Sequence, residues 1–91
     1  MDDGVADLVD LLARRGALDI MRALEGGPVA QRSLIRRLHG FDETVLGQRL
    51  VDLRRIGIVE EVPESGALRL SSRGRRVLGA LDGLARASRD R

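Results

Sequence analysis

Glycine and proline punctuate this chain at intervals that leave room only for short elements. Gly16, the Gly26-Gly27-Pro28 run, Gly40, Gly57 and the tetrapeptide Pro63-Glu64-Ser65-Gly66 each stop a helix or favour a turn. Glycine does so through its backbone entropy, and proline through its missing N–H. The longest apolar runs are two or three residues, as at Leu11-Leu12-Ala13, so neither a membrane-spanning helix nor the apolar core of a signal peptide is expected. The 91 residues make one expected domain, 1–91. A domain of this size buries only a little over ~60% of its unfolded surface, so an added stabiliser such as dimerisation is anticipated.

Between the breakers, apolar residues recur at helical spacing. Val5, Leu8, Val9 and Leu12 follow the i, i+3, i+4, i+7 pattern of one helix face, with Asp2 or Asp3 placed to cap its start. Leu18, Ile20, Met21 and Leu24 predict a second short helix that must end at Gly26-Gly27-Pro28. A third covers roughly Gln31 to Leu38, with Leu34, Ile35 and Leu38 apolar and Arg32, Arg36 and Arg37 polar. His39-Gly40-Phe41 then turns the chain.

Asp42 is a good N-cap for a fourth helix that runs to about Arg55 and is closed by Gly57. Leu46, Leu50, Leu53 and, less squarely, Arg49 share one side of its wheel, while Thr44, Gln48, Val51 and Arg55 fall opposite. Beyond Gly57 the pattern changes to two β-prone runs, Ile58 to Val62 and Ala67 to Leu70, on either side of the Pro63–Gly66 turn. Ser71 or Ser72 can cap a last helix carrying Val77, Leu78, Leu81 and Leu84. The expected fold is mainly α with a small β-hairpin, in the order α-α-α-α-β-β-α.

Composition narrows the function. No cysteine is present, so disulfides, thiol nucleophiles and zinc knuckles are excluded, and nothing marks the chain for secretion; a cytoplasmic location is expected. All 16 basic residues are arginine, and with no lysine, tyrosine or cysteine to titrate, a net charge of only +2 gives a sequence pI near 10.8. The distribution is more informative than the total. Residues 1–30 carry −3, 31–59 carry +3, 60–68 carry −3 and 69–91 carry +5. A basic middle and a basic tail flank an acidic hairpin.

Three stretches, in order, carry a family resemblance. Ala17-Leu18-Asp19-Ile20-Met21-Arg22-Ala23-Leu24-Glu25-Gly26-Gly27-Pro28 is similar to an "xxILxxLxxGP" helix. Val45 to Glu60, with Leu46, Arg49, Leu50, Leu53, Gly57, Ile58 and Val59 at the diagnostic places, resembles "LxxRLxxLxxxGLV". Leu68-Arg69-Leu70-Ser71-Ser72-Arg73-Gly74 is similar to "YxLTxxG" with leucine in the tyrosine's place. Together they resemble the winged helix-turn-helix regulators of the HxlR family and its MarR and ArsR relatives, over roughly residues 16–85. The resemblance implies a transcriptional regulator, not an enzyme, that reads DNA with the helix at about 42–55. The sensor cysteine of some members is missing here, which removes thiol oxidation as a signal.

In such proteins the start of the recognition helix reaches base edges in the major groove. Thr44, Gly47 and Gln48 are the expected base contacts: glutamine can pair bidentately with adenine, threonine can meet a thymine methyl, and Gly47 permits close approach. Glu43 beside them repels phosphate unless it accepts from a cytosine amino group. Arg32, Arg36, Arg37, Arg54, Arg55, Arg69 and Arg73 are the expected phosphate contacts, which fix register without reading sequence. The hairpin, crowded with Glu60, Glu61 and Glu64, is expected to add little affinity or to face a protein.

The terminal helices, within 1–15 and 72–88, are the expected dimer contacts through Val5, Leu8, Leu11, Leu12, Val77, Leu78, Leu81 and Leu84. A two-fold pair would set two recognition helices ~34 Å apart on a palindromic operator. Double-stranded DNA and a second copy are thus the expected partners, with no membrane, no cofactor and no metal. His39 beside Asp42 and Glu43 has no second histidine to complete a zinc site. Phe41 reads as a plug between the third and fourth helices, and no nucleophile motif surrounds the lone histidine. The competing reading is a winged helix used as a protein-interaction or adaptor module without DNA binding, favoured by the near-neutral charge and acidic hairpin.

Overall fold

The computed structural model describes residues 3–89; Asp2, one of the two expected caps, lies outside them. The elements follow in the order α1 (Asp3–Leu12), α2 (Ala17–Ala23), α3 (Gln31–Arg37), α4 (Glu43–Arg55), β1 (Val59–Glu61), β2 (Leu68–Leu70) and α5 (Ser72–Arg89). This is the order expected from the breakers, with boundaries moved by a residue or two.

A single cluster of aliphatic side chains holds the elements together. Ile20, Met21 and Leu24 from α2 and its exit, Leu34 from α3, Leu46, Leu50 and Leu53 from α4, and Ile58, Val59, Leu68 and Leu70 around the hairpin are buried in it. Each such side chain removed from water contributes about 1.5–3 kcal/mol, which is how a core with one partly buried aromatic, Phe41, is held. α1 lays Leu11 into the cluster, with Leu8 and Leu12 partly buried against it, and α5 contributes Leu78 with Val77 alongside.

α4 is well delimited at both ends. The Asp42 carboxylate accepts from the backbone N–H of Thr44 at 2.8 Å and of Val45 at 3.3 Å, satisfying donors that the first turn leaves unpaired. At the other end Gly57 takes a left-handed φ of 77°, its N–H bonding to Arg54 O at 3.1 Å while Ile58 N–H reaches Leu53 O at 2.9 Å. This pair of bonds is the Schellman closure, and it turns the chain directly into the hairpin.

β1 and β2 pair antiparallel, Val59 with Leu70, Glu60 with Arg69 and Glu61 with Leu68. The sequence pattern did not indicate a third partner. Val29, just after Pro28, bridges to Leu68 through both backbone bonds, N–H to O at 2.8 and 2.9 Å, so the segment entering α3 is sewn onto the hairpin edge.

The start of α5 is packed onto the exit of α4. Ser71, not Ser72, is the cap: its hydroxyl accepts from Gly74 N–H at 2.9 Å and faces the carbonyls of Gly57 at 2.5 Å and Ile58 at 3.2 Å. Its own N–H donates to Ile58 O at 2.9 Å. Gly74 is buried against the segment between α4 and β1, and a Cβ there would overlap the Ile58 carbonyl oxygen. The glycine of the "LRLSSRG" stretch is therefore a packing requirement in this chain.

Candidate nucleic-acid interface

Because Leu46, Leu50 and Leu53 face the core, the opposite side of α4 is committed to solvent, and Thr44, Gln48, Val51 and Arg55 are all exposed there. Gly47 lies on the flank toward α3, in a shallow groove shared with Gln31, Leu50, Val51 and Arg54. Arg32 and Arg36 of α3, with Gln31 and Ile35, meet Glu43 at the start of α4 in a second open recess. Arg37 is exposed but lies off that recess. The two helices thus form one continuous outer surface, polar and arginine-bearing.

The seven arginines singled out from the sequence separate into two kinds. The side chains of Arg32, Arg36, Arg37 and Arg55 make no ion pair or hydrogen bond with any described residue. Three others are engaged. Arg54 pairs with Glu61 at 3.1 Å, and Arg69 pairs with Glu60 directly across the hairpin at 2.7 Å. Arg73 donates to the Ile56 carbonyl at 2.5 Å, satisfying the C-terminal end of α4. The same contacts change the reading of the acidic hairpin, since two of its three glutamates face arginine partners. Arg55 borders a recess with Asp7, Asp10 and Asp52, so its surroundings are less positive than those of Arg32 and Arg36.

Gln48 is not free on the surface. Its amide nitrogen donates to Asp52 Oδ1 at 3.0 Å, while the other carboxylate oxygen accepts from Arg49 Nη1 at 2.9 Å. Arg49 is held in turn by the carbonyl of Arg15, at 3.2 Å from its Nε, and the Arg15 guanidinium lies 5.4 Å from the centroid of Phe41. Phe41 is partly buried against the core, with its ring beside Arg15 and Gly16 of the connection between α1 and α2. Two residues of this surface had no role assigned from the sequence. Val51 stands 49% exposed in the row of polar side chains, and Asp52 holds Gln48. Val51 was legible as an outward apolar residue on a polar face; the Asp52 contact was not.

The terminal helices divide the expected dimer residues. Leu11 and Leu78 are spent in the chain's own core, and Leu8, Leu12 and Val77 are partly so. Val5, Val9 and Leu84 remain exposed, Leu84 at 67%, and Leu81 is half-buried. Arg22 of α2 bonds to Asp82 of α5 at 2.6 Å and to Glu25 at 3.3 Å. The hydrogen bond from Arg22 holds the Asp82 carboxyl below its ordinary value, and the guanidinium is raised in return.

Among the described residues no group of histidine and carboxylate side chains could hold a metal ion, and no helix is long and apolar enough to cross a membrane. No family model matches the chain, and no curated protein matches it significantly. Solved structures do, among them two of YodB. The quinone-bound YodB from B. subtilis superposes with a TM-score of 0.82 over 96% of this chain and 97% of that one, at 18% identity. The reduced form of the transcriptional regulator YodB from B. subtilis gives 0.78 over 93% and 88%, at 21% identity. What the chain shares with them is the fold: five helices and a two-stranded antiparallel hairpin in the winged helix-turn-helix order.

Proposed function

We propose that the chain is a sequence-specific DNA-binding transcriptional regulator that acts as a homodimer, with α4 in the major groove of a palindromic site. The observation that carries this reading is the outer surface of α3 and α4. Exposed Thr44, Gln48 and Val51 are flanked there by Arg32, Arg36, Arg37 and Arg55, which form no ion pair among the described residues. Phosphate binding asks for cations whose charge is not already spent, and base reading asks for short polar side chains beside them. That the similar YodB is a transcriptional regulator supports the same reading.

In this assignment Thr44, Gly47 and Gln48 meet base edges, and Arg32, Arg36 and Arg37, with Arg55 more weakly, meet the backbone. The homodimer rests on the terminal helices. The last turns of α5, residues 84–89, are exposed throughout, and Val5 and Val9 leave an apolar strip on α1. A helix extending past its own core gains stability mainly by packing on something else, and a second copy supplies the matching face.

Fluorescence anisotropy on a random duplex over a salt series tests the proposal. Log K is expected to fall linearly and steeply with log salt, and sedimentation of the free chain to give a dimer. A chain that binds no duplex even at low salt would instead be an adaptor built on the same fold.

A further inference from the structure

We infer that Asp52 is a positioning residue for base reading: clamped by Arg49, it fixes which end of the Gln48 carboxamide is presented to DNA. The inference rests on the DNA-reading function proposed above and goes beyond it, because Asp52 touches no base in that assignment.

A carboxylate only accepts hydrogen bonds, so at 3.0 Å from Asp52 Oδ1 the Gln48 side chain must turn its nitrogen end inward. One N–H is then used, and the second N–H and Oε1 are left for the groove. Those are the donor and acceptor that adenine N7 and N6–H₂ require in a bidentate pair. An unheld glutamine presents either order of donor and acceptor and loses more side-chain freedom on binding.

Asp52 can do this only if it is itself fixed. Arg49 occupies its other oxygen at 2.9 Å, and the pair is mostly shielded, with side chains 15% and 17% exposed. Arg49 is anchored at its Nε by the Arg15 carbonyl in the connection between α1 and α2, 34 positions away. The orientation of Gln48 is thus set by the body of the domain, through a chain of three hydrogen bonds that ends on the backbone.

The signature of such a role is a loss of discrimination without a loss of binding. Asp52 is also a negative charge on the DNA-facing helix, and its removal lowers repulsion from phosphate. The preferred duplex is first selected from a random library with the intact chain. Gln48→Ala then locates the base pair read by Gln48, and dissociation constants are measured there for all four base pairs. Asp52→Ala is expected to cut discrimination at that position about tenfold, as Gln48→Ala does, with no further loss in the double variant. Discrimination at other positions stays unchanged, and binding to random duplex is as tight or tighter. Arg49→Met, which keeps the packed stem and releases the clamp, is expected to lose discrimination at the same position, and it decides the matter if Asp52→Ala does not fold.

Full discrimination in Asp52→Ala, or in Arg49→Met, overturns the inference alone. A uniform loss at every position with weaker random binding also overturns it, since that is what structural damage produces. An intact chain that binds no duplex overturns the DNA-reading function itself.

Discussion

The outer face of α3 and α4 and the junction of α4, the hairpin and α5 are both rich in arginine, yet they use it in opposite ways. On the first surface Arg32, Arg36, Arg37 and Arg55 have no partner among the described residues. At the second, Arg54 and Arg69 face Glu61 and Glu60, and Arg73 closes the end of α4. Formal charge does not separate the two sets, because every one of these side chains carries the same cation. What separates them is whether a carboxylate or an orphan carbonyl lies within reach. A guanidinium already paired must give up that partner before it meets a phosphate, so only the first surface offers its charge at no such cost.

The contrast is broken most severely at the junction. Gly74→Ala forces a methyl group into the Ile58 carbonyl, and backbone on both sides leaves nothing to yield. Overpacking of this kind costs typically 1–3 kcal/mol, and in a domain of this size each kcal/mol lowers Tm by about 4–8 °C. A melt followed by circular dichroism is expected to show at least such a drop. An unchanged Tm would mean that α5 does not rest on Ile58 as described. Ser71→Ala comes next. It removes the α5 cap and the hydroxyl facing Gly57 and Ile58, at an expected ~1–2 kcal/mol in urea unfolding, with DNA affinity changed only in step with stability.

On the outer face the expected effects have the opposite character. Arg36→Ala is expected to leave Tm within error and to weaken every duplex alike, reducing the salt slope by about one. A loss confined to one sequence would make Arg36 a base reader instead. The smallest effect lies at Arg22 and Asp82, which tie α2 to α5. Because the folded Asp82 carboxyl titrates below its unfolded value, its contribution is present above about pH 4 and is lost as pH falls through the folded value. The Tm difference between the native chain and Asp82→Asn is therefore expected to be small at neutral pH and to vanish in acid.

Much of this architecture was legible in the sequence because its causes are local. Asp42 caps α4 from one residue before it, Gly57 closes it from two residues after, and Leu46, Leu50 and Leu53 repeat at the helical period. The exposed row of Thr44, Gln48, Val51 and Arg55 follows from the same wheel. Features that depend on distant partners were not legible. Val29 meets Leu68, and Arg22 meets Asp82, only after the chain has folded back across some 40 and 60 positions. For the same reason the sequence grouped seven arginines of which only four are without an ion pair or hydrogen bond among the described residues, and it could not indicate that Leu11 and Leu78 are buried in the chain's own core. Helical periodicity marks an apolar face; it does not say whether the neighbour covering that face belongs to the same chain.

Whether the unpaired arginines of α3, rather than the paired ones of the junction, supply the phosphate contacts is tested by two triple variants compared in one salt titration of duplex binding. Replacing Arg32, Arg36 and Arg37 with alanine is expected to reduce the slope of log K against log salt by two to three, since each phosphate contact contributes about 0.9. Replacing Arg54, Arg69 and Arg73 is expected to lower Tm and leave the slope within about one of the native value. Equal losses of slope in the two variants, or a larger loss in the second, would contradict the account.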